Sequence, residues 1–184
     1  GIVSSIAAGY LRDLIRRYRA EHPGIVIELR EGAGRDHVEL VQSRRLDIAF
    51  VPDTVEAVDC DLIPLWAERV VAILPEDHIL RSKDSIDWRD IRNESLIVTR
   101  LENEPALRYP STRDLTVRNH AFRAQELDVG REALMQLVAM GWGVGITSEA
   151  SAGNFVPGVI FRPIETNGRL RFCAVWSPGN DNPA

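Results

Sequence analysis

The sequence predicts an α/β fold that contains a parallel sheet, because one stretch reads as strand, loop, helix and strand. Apolar residues crowd Ile25 to Leu29, and Gly32 and Gly34 interrupt this first predicted strand. A helix follows at Arg35 to Ser43, and Leu46 to Val51 resumes as a buried strand. Such a βαβ unit places ligands at the carboxyl ends of its strands.

The first helix is predicted over Ala7 to His22. Its apolar residues recur at helical spacing, and they are Tyr10, Leu11, Leu14, Ile15 and Tyr18. Ser5 is placed to cap the helix, and Pro23-Gly24 ends it.

The rest of the chain continues the alternation of strands and helices. In chain order the pattern predicts strand Val70 to Leu74, a short helix at Ser85 to Ile91, strand Ser95 to Thr99, helix Glu132 to Met140, and strands at Val144 to Thr147, Val159 to Ile164 and Leu170 to Trp176. Residues 101–122 are poorly patterned, and the alternation from Leu115 to Arg118 permits a strand there.

The length and charge of the chain limit the functions that it can have. The 184 residues, 45% of them hydrophobic and 27% charged, are ordinary for a globular protein and suffice for one domain or two small lobes. A net charge of −5 argues against phosphate binding by this chain, so any DNA contact must come from elsewhere. No apolar run is long enough to cross a bilayer, and we expect a soluble protein.

Motifs of catalysis or metal binding do not emerge from the sequence. Cys60 and Cys173 lack a CxxC spacing and are interpreted as reduced, packed thiols of a cytoplasmic protein. The four histidines lie far apart, which predicts no metal site, and no nucleophile motif is found, so we expect neither a cofactor nor an enzyme. The glycines of Gly141 to Gly145 run from helix to strand, the reverse of a dinucleotide fingerprint, and are interpreted as cap and turn.

A series of short segments, in a fixed order along most of the chain, closely resembles the effector-binding domain of LysR-type transcriptional regulators. These segments are Val3-Ser4-Ser5, Ala7 to His22, Pro23-Gly24, Glu31-Gly32, Arg45 to Phe50, Asp61 to Trp66, Glu68 to His78, Val129 to Leu134, Val138 to Ile146, Ala174 to Trp176 and Asn180 to Ala184.

The resemblance implies two Rossmann-like lobes joined by two crossing strands, similar to type 2 periplasmic binding proteins. The first lobe would comprise residues 1–73 and 177–184, and the second residues 74–176. It also implies a helix within residues 101–122 and a strand at Arg123 to Asp128. We expect the chain to be a fragment that lacks a winged helix-turn-helix DNA-binding domain and a final helix.

The resemblance also implies an effector site between the lobes, for a small anionic or aromatic metabolite, with a carboxylate as the expected group. Its candidate residues are Ser4, Ser5, Gly32, Ala33, Thr99, Arg100, Val129, Gly130 and Thr147. The hydroxyls of Ser4-Ser5 and the first turn of the following helix suit an anion, and a capping role alone would also explain Ser5. Arg100 would grip a carboxylate, although most surface arginines are merely solvated. The glycines at 32 and 34 permit close approach of a ligand or simply turn the chain.

Two alternatives and an assembly follow from this interpretation. A solute-binding component of a transporter would share the two-lobe fold, and so would an enzyme acting on small acids. The family pairs its effector domains antiparallel, as homodimers or homotetramers. In this chain the pairing would place residues 8–18 of one copy against residues 132–140 of another.

Overall fold

The computed structural model describes residues 1–3, 8–99, 123–166 and 168–180. It contains three α-helices, α1 (Gly9–Glu21), α2 (Gly34–Gln42) and α3 (Arg131–Ala139), within these ranges. Two 3-10 helices, Ile79–Ser82 and Glu149–Gly153, lie beside them. The helices confirm the three long helices that the apolar spacing predicts outside residues 101–122, with ends that differ by one or two residues.

The first sheet has the strand order β1 (Ala49–Pro52), β8 (Leu170–Trp176) and β2 (Asp61–Glu68), and both pairings are antiparallel. Ile2 extends this sheet, because it forms parallel bridges to Glu31 and to Phe50. Of the predicted βαβ unit, the helix and the second strand are present as α2 and β1, and the parallel pairing is limited to these bridges. β1 and β2 both pair antiparallel with β8, which comes from the other end of the chain.

The second sheet has the order β6 (Gly145–Ser148), β3 (Val70–Pro75) and β7 (Val159–Pro163). A parallel pair, β4 (Ser95–Thr99) and β5 (Arg123–Leu127), is joined to it through a bridge between Leu96 and Val144. The strands predicted at these positions are confirmed. The helix predicted within residues 101–122 falls outside the described residues.

Two predicted elements are wrong. Residues 25–29 form no strand, and Val26 is 84% exposed. The N-terminal segment beside them pairs at one point, where Ile2 forms a bridge to Glu31. Residues 85–91 form no helix. Ile86 pairs with Ile164, and the carboxylate of Asp87 accepts a hydrogen bond from the backbone N–H of Arg89 at 2.8 Å. Such local side-chain bonds compete with helix formation.

The chain passes from the first sheet to the second at Arg69, between β2 and β3, and this passage is fixed by two acidic residues. The guanidinium of Arg69 donates to the Glu149 carboxylate at 2.7 and 3.1 Å, and the backbone N–H of Glu149 donates to the Arg69 carbonyl at 3.0 Å. The carboxylate of buried Glu68 accepts from the backbone N–H of Ala150 at 3.1 Å. We call these four residues the passage lock. The hydrogen bond from Arg69 holds the pKa of Glu149 below its ordinary value.

An aromatic stack lies next to the passage lock. Trp66 is stacked between Tyr10 and Phe172, with ring centroids 5.2 and 4.9 Å away. Its indole N–H donates to Glu68 at 2.7 Å, so the stack and the lock share one carboxylate. Offset stacking of this kind adds about 0.5–1.5 kcal/mol per pair beyond the area that is buried.

Among the described residues, three buried clusters form the core. The largest includes Leu74, Ile86 and Leu96 from the second half of the fold together with Leu170 and Phe172 of β8. A second cluster packs α2 on the first sheet through Val38, Val41 and Val51, among others. The third packs α3 on β3 and β4, and its buried members are Ile73, Ile97, Leu134, Met135 and Val138. Each such side chain contributes about 1.5–3 kcal/mol on burial.

The cysteines are unpaired by disulfide bonds, and the described helices are not of the membrane-spanning kind. Cys60 and Cys173 are free thiols, and burial is the main cause that raises the pKa of each. In the described part of the chain, no helix combines the length and apolar character that a membrane span requires.

The glycines after α3 serve the cap and turn that the sequence predicts. Gly141 has φ +78°, the left-handed conformation that commonly ends a helix. Gly143 allows a close approach, because a β carbon there would overlap the carbonyl oxygen of Ser95. That same oxygen accepts from the backbone N–H of Val144 at 2.8 Å, which joins β4 to β6.

We predict that Gly143→Ala lowers the free energy of unfolding by about 1–3 kcal/mol, because the new methyl group must displace the backbone at Ser95. Urea unfolding measures this change. Gly24→Ala is the matched control, since a β carbon at Gly24 meets nothing within 4 Å. Equal stability of the two variants would contradict the close approach.

Candidate functional site

The predicted site residues divide between the two sheets, and the structure describes six of the nine. Ser4, Ser5 and Arg100 lie outside the described residues. Gly32 and Ala33 follow the bridge between Ile2 and Glu31, at the carboxyl edge of the parallel part of the first sheet. Gly32 donates its backbone N–H to the Ile2 carbonyl at 3.2 Å. The strand end Val3, which precedes Ser4-Ser5, lies at the same edge.

The other four candidates lie at the carboxyl edge of the β4, β5 and β6 strands. Thr99 is directly opposite Leu127, which is followed by Val129 and Gly130 at the start of α3. A parallel bridge pairs Leu96 of β4 with Val144, the residue before β6. Thr99 lies three residues after Leu96, and Thr147 lies three residues after Val144. The two threonines therefore occupy matching positions on neighbouring parallel segments.

These threonines are not open to solvent. Thr99 is 1% exposed and Thr147 is 5% exposed. The hydroxyl of Thr147 lies 2.9 Å from that of Ser151, in the 3-10 helix that follows β6. Val129 packs partly buried against the α3 cluster, whereas Gly130 is exposed and forms the N-cap of α3. Gly130 is accordingly the candidate of this group that solvent reaches most readily.

Arg131 joins the two groups of candidates, and the sequence analysis missed it. It is the first residue of α3, directly after Gly130, and it reaches across to the first sheet. Its guanidinium donates to the Glu31 carboxylate at 3.2 Å and to the Val3 carbonyl at 3.1 Å. The contact between Arg131 and Glu31 thereby brings together two loops that are distant in sequence. Gly32-Ala33 lies on one side of it and Val129-Gly130 on the other.

A signal for Arg131 existed in the sequence. A cation in the first turn of a helix is disfavoured by the positive end of the helix macrodipole, so an arginine at this place calls for a compensating contact. Glu31 and the Val3 carbonyl supply that contact. The partner, however, lies far away in sequence, and only the fold identifies it.

His37 explains why a glycine stands at position 32. The His37 side chain is 1% exposed, and its Nε2 lies 3.1 Å from the Ile2 carbonyl. A β carbon at Gly32 would come within 3.1 Å of the imidazole ring. Burial lowers the pKa of His37 below its ordinary value of 6.5, and the hydrogen bond to Ile2 opposes this shift. The neutral ring therefore supports the loop that carries Glu31.

Metal chemistry has no geometric basis in residues 1–3, 8–99, 123–166 and 168–180. Within these ranges, no three side chains of His, Cys, Asp or Glu are grouped so that they could hold an ion. The contact at Arg131 brings together one guanidinium, one carboxylate and the carbonyl of Val3. A guanidinium in this place can bind an anion, and these three described groups include no nucleophile.

Comparison with known sequences shows the family of the chain. The family model described as the LysR substrate binding domain matches residues 1–184. The HTH-type transcriptional regulator TtuA of Agrobacterium vitis is 30% identical over 199 residues, which cover 98% of this chain and 63% of TtuA. The Hca operon transcriptional activator HcaR of Escherichia coli K12 is 26% identical over 193 residues, covering 100% of this chain and 62% of HcaR. The chain thus spans less than two thirds of either relative.

Comparison with solved structures gives the same fold. The effector binding domain of BenM with its effector benzoate has a TM-score of 0.77 at 19% identity, covering 97% of this chain and 82% of that one. The effector binding domain of QuiR in complex with shikimate has a TM-score of 0.78 at 21% identity, covering 97% and 86%. These likenesses confirm the predicted α/β architecture of two lobes, which resembles type 2 periplasmic binding proteins.

We predict that the free energy of unfolding falls as pH decreases from about 6.5, and that His37 causes part of this fall. The unfolded chain takes up a proton at His37 that the folded chain excludes, and each such proton contributes up to about 1.4 kcal/mol per pH unit. The window runs from 6.5 down to the lowered pKa of the folded state. Urea unfolding of the native chain and of His37→Leu between pH 5 and 8 measures the difference.

The difference between the slopes of the two proteins isolates the contribution of the histidine. Parallel curves for the two proteins would contradict this prediction.

Proposed function

This chain belongs to the LysR substrate-binding domain family, and from that premise we propose that it senses a small anionic metabolite between its two lobes. The observation that carries the proposal is the contact of Arg131 with Glu31 and Val3, which places a cation where the lobes meet. Carboxyl edges of parallel strands are where ligands of α/β proteins usually bind.

The proposed mechanism couples this site to DNA through a shift in lobe arrangement. A ligand that binds one arrangement more tightly than another shifts the population toward it, whereas equal affinity shifts nothing. The relatives TtuA and HcaR are named as transcriptional regulators, and this chain matches the domain model rather than their whole length. We infer that a DNA-binding domain outside this chain receives the signal, since a net charge of −5 does not suit phosphate binding.

The site residues that the sequence predicts are part of this proposal. We infer that Ser4, Ser5 and Arg100 contribute to the same cleft as the described candidates. Gly130 and Ala33 would line it through their backbone, with Arg131 between them. The transporter alternative is not favoured, because the matching relatives are regulators. The same relatives give no support to an enzyme.

We predict that one class of carboxylate raises the melting temperature of the chain. A ligand at about 100 times its dissociation constant adds about 2.7 kcal/mol of stability. The measurement is thermal unfolding against aromatic and aliphatic carboxylates, including benzoate and shikimate. Matched amides such as benzamide serve as controls, because they keep the shape and lose the charge. Stabilisation by the amides equal to that by the acids would contradict an anionic effector.

We also infer that the domain self-associates through α1 of one copy and α3 of another. Of the thirteen residues of α1 only Leu11 is buried in the described structure, and Leu14 and Ile15 are half-buried. At the end of α3, Met140 is 64% exposed and Trp142 is 56% exposed. Apolar side chains on both helix surfaces are available for pairing.

We predict that Met140→Lys weakens self-association of the chain in sedimentation velocity at increasing concentration. A lysine at this place suits the C-terminal end of a helix, so folding is unaffected while the pairing surface gains a charge. Ile79→Lys is the control, because Ile79 is 85% exposed and belongs to neither helix. A native chain that stays monomeric at every concentration would contradict the proposed interface.

A further inference from the structure

The contact between Arg131 and Glu31 joins two side chains with very different access to water. The side chain of Arg131 is 18% exposed, whereas that of Glu31 is 59% exposed. A mostly buried guanidinium requires an anionic partner, because desolvation of an unpaired charge is costly. An exposed carboxylate, by contrast, returns to water at little cost.

The geometry of this contact is that of a weak ion pair. One nitrogen of Arg131 approaches one oxygen of Glu31 at 3.2 Å, longer than the 2.7–2.9 Å of a strong charge-assisted hydrogen bond. The passage lock provides a comparison within the same chain. There Arg69 contacts Glu149 through two guanidinium nitrogens, the shorter contact being 2.7 Å. The bidentate capacity of Arg131 is therefore not used by Glu31.

A hydrogen bond to the backbone also holds Arg131 in place. Its second terminal nitrogen donates to the Val3 carbonyl at 3.1 Å, a backbone group that sits at the end of the strand leading to Ser4-Ser5. The guanidinium is thus anchored to the first sheet independently of the carboxylate. A ligand that replaces Glu31 would find the arginine already held at the Val3 carbonyl.

Resting on the sensing function proposed above, we propose that Arg131 binds the anionic group of the effector and that Glu31 occupies this guanidinium until the effector displaces it. Glu31 is then an internal competitor, which sets the affinity for carboxylates. An effector whose carboxylate has no bulky group beside it would replace the single contact between Arg131 and Glu31 with a bidentate ion pair to Arg131. Neutral analogues could not displace Glu31, so discrimination against them comes from the chain itself.

The test is a titration of the full 184-residue chain with acetate at constant ionic strength, followed by the Nε–H resonance of Arg131 in nitrogen-15 NMR. Arg131→Met assigns that resonance by its loss. We expect Glu31→Gln to lower the midpoint of the acetate titration about tenfold, because the competitor is removed. Acetamide, which is neutral and similar in shape, should shift nothing. Glu31→Ala repeats the measurement in case the glutamine forms a new contact.

Asp59→Asn is the matched control. It changes the net charge by the same amount at an exposed residue whose positive φ of 56° suits asparagine, and its midpoint should equal that of the native chain. Equal midpoints for native, Glu31→Gln and Glu31→Ala would overturn the proposal. An acetamide response equal to that of acetate would overturn it as well.

Failure of this assignment differs from failure of sensing. If sensing holds and Arg131 is not the receptor, the carboxylate that stabilises the native chain also stabilises Arg131→Met to the same degree. If sensing itself fails, no carboxylate of the panel stabilises either protein, whatever acetate does at Arg131.

Discussion

The passage lock is the constraint on which the relation between the two sheets depends. The chain crosses from β2 to β3 at a single residue, Arg69, and the carboxylates on both sides of that crossing are committed to backbone and guanidinium donors. Glu68 is buried, and its two oxygens are divided between the Trp66 indole and the Ala150 backbone. Since a buried carboxylate is tolerated only when its hydrogen bonds are satisfied, the orientation of β2 relative to the 3-10 helix after β6 is closely specified.

The contact at Arg131 lies at a different point between the sheets and is built in the opposite manner. It uses one hydrogen bond of 3.2 Å to an exposed acid, where the passage lock uses several hydrogen bonds, the shortest of them 2.7 Å. Of these two contacts between the sheets, the passage lock has more hydrogen bonds, and the Arg131 contact has the more exposed acid. A ligand shifts the balance only between arrangements to which it binds with different affinity.

The sequence predicted those elements that bury apolar residues at a regular period. Helix α3 and strands β4 and β8 were predicted within a residue or two because their own side chains form the core. The strand predicted at residues 25–29 was wrong, since apolar composition there does not coincide with a pairing partner. Arg131 and Glu31 could not be paired by any local pattern, because the contact spans 100 positions. The sequence thus predicted which loops form the site, whereas the ion pair between Arg131 and Glu31 is known only from the folded structure.

The stacked position of Trp66 gives the molecule a natural optical label. Its ring lies between Tyr10 of α1 and Phe172 of β8, and its indole N–H is bonded to the acid that precedes the crossing residue. Indole emission depends on ring contacts and on nearby charge, and both are defined here by groups from three separate segments. One of the four tryptophans of the chain is therefore an intrinsic chromophore beside the crossing at Arg69, and a variant that keeps Trp66 alone would report on this crossing through its emission.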